Sequence, residues 1–177
     1  MGGAIAQLAA ANHPERVISL TSIMSSSGNP ALPPPTPAAA AALFAPLPRQ
    51  RDRENIVADS LARYEPLESP AYPTDRKRLR QLFADEYERN FDPRGVARQL
   101  AALIANGDRR PLLQTITAHS VIVHGAADQL IPVTCGEDVA RNIPNADLHI
   151  IDGMGHDFPV ALSEGFADAI CAAAQRA

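Results

Sequence analysis

The sequence predicts an α/β fold of parallel strands with flanking helices, interrupted by an inserted helical segment. Three observations carry this. Short apolar runs at residues 17–21 and 121–123 have the length and composition of strands in a buried parallel sheet, and residues 148–151 read as another short strand. Stretches with helical spacing alternate with them along the chain, which is the order of a βαβ architecture. Between the first run and the second, composition shifts to a charge-dense, helix-patterned region. The core is therefore expected over residues 1–28 and 109–177, and the insertion over 29–108.

Taken in order, residues 2–13 carry Ile5, Leu8 and Ala9 at helical spacing, and small residues at Gly2, Gly3 and Ala4 allow close packing on a strand. His13-Pro14 ends this helix. The next strand is expected at residues 17–21 with Ile18 and Leu20 buried, followed by the polar loop Ser25-Ser-Ser-Gly-Asn29. Residues 29–48 hold seven prolines, and this stretch reads as a stiff connector leading out of the sheet.

Residues 49–110 contain thirteen of the 16 basic residues and eleven of the 20 acidic ones, so the segment is nearly balanced in charge. Leu79, Leu82, Phe83, Tyr87 and Phe91 form one apolar stripe, and Val96, Leu100, Leu103 and Ile104 a second. Asp92-Pro93 fits a helix start and Asn106-Gly107 a helix stop. Three or four helices with solvated outer faces are expected. Beyond them a helix at about 134–142 joins the two later strands, and residues 158–174 form a last helix with Leu162, Phe166, Ala169, Ile170 and Ala173 inward.

Bulk properties narrow the function classes. A chain of 177 residues, 46% hydrophobic, is long enough to bury a core. The net charge of -4 offers no surplus of Lys and Arg for a phosphate backbone, so no nucleic-acid partner is expected. No apolar run approaches the ~20 residues that span a bilayer, and no membrane partner is expected. Glu15-Arg16 interrupts the first apolar stretch, against a signal peptide. Cys135 and Cys171 both fall in helical stretches, which fits reduced thiols in a cytoplasmic protein. No metal is expected from His124, Asp128 and His156, because neither an HExxH motif nor paired His/Cys spacing is present.

The chemistry-bearing residues gather at the ends of the later strands. Asp128 follows Val121-Ile-Val-His-Gly by a short Ala-Ala loop, and His156 sits in Gly153-Met-Gly-His after the third strand. In an open α/β sheet, reactive groups collect past the carboxyl ends of the strands. Asp152 and Asp157 flank the histidine and are expected to cap or bond their own turn. His124 is expected to fill space beside the site or to bond a backbone carbonyl; His149 fits either layer.

Together these residues resemble the acid and base arms of the Ser-His-Asp triad in the α/β-hydrolase family. The order of strands, the place of the helical insertion and the Gly-x-Gly-His motif before a final helix are similar to the C-terminal part of that fold. The opening Met1-Gly-Gly-Ala looks like the second half of a G-x-S-M-G-G nucleophile turn, cut after its serine. The run Ile5-Ala-Gln-Leu-Ala and the run Gly153-Met-Gly-His-Asp-Phe-Pro159 look like the aclacinomycin methylesterase type of bacterial esterase.

The resemblance implies a serine hydrolase acting on a methyl or other small carboxylic ester without a cofactor. Asp128 would orient His156, and His156 would relay the proton. The amide of Met1 would take an oxyanion-hole position, and Phe83 and Tyr87 from the cap would shape the substrate. Without the serine, the chain alone is expected to be inactive. A truncated non-catalytic remnant or a small-molecule binding module are the alternatives. Loss of a neighbour for the first strand would leave an apolar edge, so self-association through it is expected.

Overall fold

The computed structural model describes residues 1–176. A three-stranded, wholly parallel sheet of order β1-β2-β3 lies at its centre, built from Ser19–Ile23, His119–Gly125 and Asp147–Ile151. In β2, Ile122 points to one face and Val121 and Val123 to the other, as the two-residue period of a strand requires. Ile122 joins Ala10, Leu20, Leu113, Val139 and Ile143 in one core. Val121 and Val123 join Met24, Met154, Phe166, Ala169 and Ala173 in the other.

These two cores define three layers. Helices α1 (Gly2–Asn12), α6 (Arg110–Leu113) and α7 (Val133–Asn142) contribute to the first, and α8 (Ser163–Gln175) to the second. Between β1 and α6 the chain forms α2 (Pro37–Phe44), α3 (Arg53–Tyr64), α4 (Arg76–Arg89) and α5 (Pro93–Asn106). Cys135 in α7 and Cys171 in α8 are both free, and burial pushes the Cys135 thiol up from its ordinary range.

Several expectations need correction. The connector contains a helix: Thr36 accepts a hydrogen bond from the Ala39 amide and Pro37 takes the first helical position, so the alanine run after it winds as α2. Strand β1 begins two residues later than expected, which leaves Ile18 outside the sheet and 76% exposed. Helix α1 buries Ala4, Gln7 and Ala10, while Ile5 faces out. The helix lies so close to the segment after β1 that a Cβ at Gly3 would fall 2.5 Å from Ser25 Cβ, which leaves room for small residues on that face.

The insertion's stripes are also only partly inward. In α4, Leu79 and Ala84 are buried and Leu82 is exposed. In α5, whose ends fall at Pro93 and Asn106, no residue is buried, and Val96 and Ile104 are both exposed. Ile170 of α8 is turned outward as well. Among the described residues, no helix is long and apolar enough to cross a membrane.

Candidate active site

Asp128 and His156 arrive from different strands and meet. The loop after β2 is tied to the loop after β3 by backbone hydrogen bonds from the Ala126 amide to the Ile151 carbonyl (3.0 Å) and from the Ala127 amide to the Met154 carbonyl (2.9 Å). On that brace Asp128 is buried. Its Oδ1 accepts the amides of Leu130 (2.9 Å) and Ile131 (2.8 Å), and its Oδ2 accepts His156 Nδ1–H at 2.7 Å. The backbone bonds make the usual loop-aspartate turn. The second oxygen is left for the imidazole, so one carboxylate both closes the turn and holds the ring.

His124 stands beside this pair. Its ring is wholly buried, and Nε2–H donates to the Ile131 carbonyl at 2.8 Å, with Asp128 Oδ2 at 3.6 Å. Burial lowers its pKa, favouring the neutral ring. Nδ1 is buried and has no hydrogen-bond partner. His124 therefore secures the residues after Asp128 without adding charge. His149 is exposed on β3, and His119 lies 3.5 Å from Asp147 at the far end of the sheet.

The base loop is covered by the segment that follows α3. The His156 amide donates to the Leu67 carbonyl (2.8 Å), the Gly155 amide to Ser69 Oγ (2.8 Å), and the Ala71 amide to the Gly153 carbonyl (3.2 Å). Gly153 has φ +69, a left-handed conformation that favours glycine. Gly155 is required for a different reason: a Cβ there would lie 2.5 Å from the Leu67 carbonyl oxygen.

Asp157 does not bond its own turn as expected. It is buried, accepts the Tyr64 hydroxyl at 2.6 Å, and also accepts the Ser69 hydroxyl. Sequence reasoning missed this trio, because partners 88 and 93 residues apart leave no periodic or motif signal.

An open cavity of about 310 Å³ adjoins His156, within the size range of small-molecule sites. Met1, Gly2, Gly3, Ala6, Thr21, Ile23, Met24 and Phe158 complete its lining, and His156 is its only ionisable side chain. Met1 lies in the same cavity lining as His156. Phe83 and Tyr87 are not part of the lining. Phe83 packs edge-on against Tyr64 with ring centres 5.7 Å apart, whereas Tyr87 packs on Phe91 and its hydroxyl donates to the Arg51 carbonyl. A second cavity, lined by Ile18, His119 and Arg176 among others, contains neither Asp128 nor His156.

With Nδ1–H given to a buried carboxylate, Nε2 of His156 is the ring nitrogen open to proton exchange. That arrangement suits a general base whose tautomer is fixed. Among the described residues, no group of three His, Cys, Asp or Glu is placed to hold a metal ion.

Comparison with known proteins gives three findings. The model of the family described as the alpha/beta hydrolase fold matches residues 1–160. RutD of Caulobacter vibrioides, a protein named as a carbamate hydrolase, is 35% identical over 105 residues, covering 56% of this chain and 38% of that protein. Two solved structures share the fold. The meta-cleavage product hydrolase of Pseudomonas fluorescens IP01 is 17% identical with a TM-score of 0.70, covering 98% of this chain and 61% of that one. The enol-lactonase of Burkholderia xenovorans LB400 is 20% identical with a TM-score of 0.70, covering 98% and 62%. The chain spans less than two thirds of the length of each of these relatives.

Proposed function

The chain belongs to the α/β-hydrolase family, and from that premise we propose that it carries the acid and base arms of a serine hydrolase that cleaves a carboxylic ester. The observation that carries the reading is the 2.7 Å bond between His156 Nδ1 and the buried Asp128 carboxylate, at the rim of a cavity that His156 lines. Asp128 holds the imidazole with Nε2 toward the cavity and stabilises the imidazolium that forms when Nε2 takes a proton from the attacking hydroxyl. The same proton then passes to the leaving alcohol. The cavity's lining holds no Lys, Arg, Asp or Glu side chain, which supports a small uncharged ester over an anionic one.

No Gly-x-Ser-x-Gly occurs in the 177 residues, and Thr21 is the only hydroxyl in the cavity lining. Without a serine on the elbow, Asp128 and His156 have no alkoxide to generate and no acyl-enzyme forms. The attacking group would be the residue preceding Met1 in the G-x-S-M-G-G pattern. The main-chain amide at Met1 would then serve the oxyanion. A carbamate, the substrate class in RutD's name, presents the same electrophilic carbonyl and belongs in the same assay.

Two polypeptides test this, with a chromogenic short-chain ester and a carbamate as substrates. The 177-residue chain is expected to show no turnover above its His156→Ala variant. The same chain extended to carry Gly-x-Ser before Met1, on the strands such a turn needs, is expected to show turnover that His156→Ala abolishes. Turnover by the extended form that survives His156→Ala would refute the assignment. Saturable binding of the ester without turnover in the extended form would favour the binding-module reading.

A further inference from the structure

We propose that Tyr64, Ser69 and Asp157 are positioning residues for His156, making the helical insertion a support of the base. This rests on the reading of His156 as the base. The residue is gripped at three successive positions. Ser69 Oγ accepts the Gly155 amide (2.8 Å), the Leu67 carbonyl accepts the His156 amide (2.8 Å), and the Asp157 carboxylate accepts the hydroxyls of Ser69 and Tyr64. Every one of these partners comes from residues 64–69, at and just beyond the end of α3. The ring, bonded through Nδ1 to Asp128, lines the cavity.

Asp157 argues that the cluster does more than close a turn. A buried carboxylate is costly unless its oxygens are satisfied. Among the described residues, no Lys, Arg or His lies within ion-pair distance of Asp157, so its two hydroxyl donors carry that burden. Hydrogen bonds to an ionised oxygen are stronger and more directional than neutral ones. Ser69 is wholly buried and both donates to Asp157 and accepts from Gly155, so the carboxylate and the loop backbone share one hinge atom. Tyr64 is in turn seated against Phe83 of α4, which extends the support from the base loop into the body of the insertion.

The test is nuclear magnetic resonance of the full, isotopically labelled chain. The proton between His156 Nδ1 and Asp128 is assigned by its loss in Asp128→Asn. Tyr64→Phe removes one oxygen and keeps the ring against Phe83; Asp157→Asn removes the charge. In both, solvent exchange of the His156 Nδ1 proton and of the Gly155 and His156 amides is expected to speed up roughly tenfold or more, as loss of a hydrogen bond to a charged group predicts. The amides of Val121 to Val123 in β2 serve as the internal reference and are expected to keep their rates.

Unchanged His156 signals in both variants, whatever happens to the melting temperature, would overturn the positioning role. Should Asp157→Asn fail to fold, Tyr64→Phe decides the matter alone. Absence of any His156–Asp128 proton in the unsubstituted chain would sink the base reading and this proposal with it. Its presence together with indifference to the substitutions sinks this proposal only.

Discussion

The His124 ring occupies the space that a side chain at Gly136 would need: a Cβ there would lie 2.6 Å from His124 Cγ. Helix α7 is therefore held at its distance from β2 by an imidazole lying where any other residue would put a methyl group. The same imidazole holds the Ile131 carbonyl three residues past Asp128. Gly136→Ala is expected to destabilise the chain by about 1–3 kcal/mol, the usual cost of overpacking a filled core. Denaturant unfolding measures it, and a change below about 0.5 kcal/mol, the level typical of surface positions, would show that the ring moves aside freely.

Replacing the Asp128 carboxylate with an amide removes the charge that fixes the tautomer of the His156 ring. In any polypeptide of this family member that turns over ester, Asp128→Asn is expected to lower kcat by about 10⁴ with little change in KM, the scale known for a lost triad carboxylate in other hydrolases. Steady-state kinetics check this. A loss under tenfold would remove Asp128 from the acid's role.

Tyr64 provides a pH signature. Burial first, and then the hydrogen bond to Asp157, raise its phenol well above the ordinary tyrosine range. The folded pKa being the higher one, the stabilisation from this group is complete below the unfolded value of about 10 and is lost only as pH climbs through the raised value. The difference between tyrosinate absorbance titrations of the unsubstituted chain and Tyr64→Phe is expected to be flat through pH ~10. A full tyrosine ionisation there would contradict it.

The outer edge of β1 pairs with no strand among the described residues, and Ile18 protrudes beside it at 76% exposure. Unpaired, apolar parallel edges invite association. The chain is expected to associate with rising concentration, and Ile18→Lys to lower that tendency. Light scattering across concentration decides it: a concentration-independent monomer in both forms ends the idea.

How much of this was legible in the sequence depends on the range of the interaction. The strands were readable because Val121-Ile-Val and Leu148-His-Ile-Ile are short apolar runs bounded by loops. The ends of α5 were readable because Pro93 and Gly107 act on the backbone locally. Which face of a helix turns inward was less readable: Ile5, Leu82 and Ile170 all belong to plausible stripes, yet a neighbouring face packs better against what lies beneath. Helix α2 was hidden by the prolines around it, although Thr36-Pro37 is a good helix start. The loops bearing Asp128 and His156 were visible as motifs. The trio Tyr64, Ser69 and Asp157 was not, since nothing along the chain links a loop serine and a helix-end tyrosine to an aspartate some ninety residues on.

The interlock between residues 67–71 and 153–157 also limits how this molecule can be recombined. Gly155 lacks a side chain where the Leu67 carbonyl comes down upon it, and Ser69 answers the Gly155 amide. A chimaera that takes its roof from a cousin must take the matching histidine loop as well. Exchanged singly, either half would meet a partner cut to another pattern, however well the sheet below it folded.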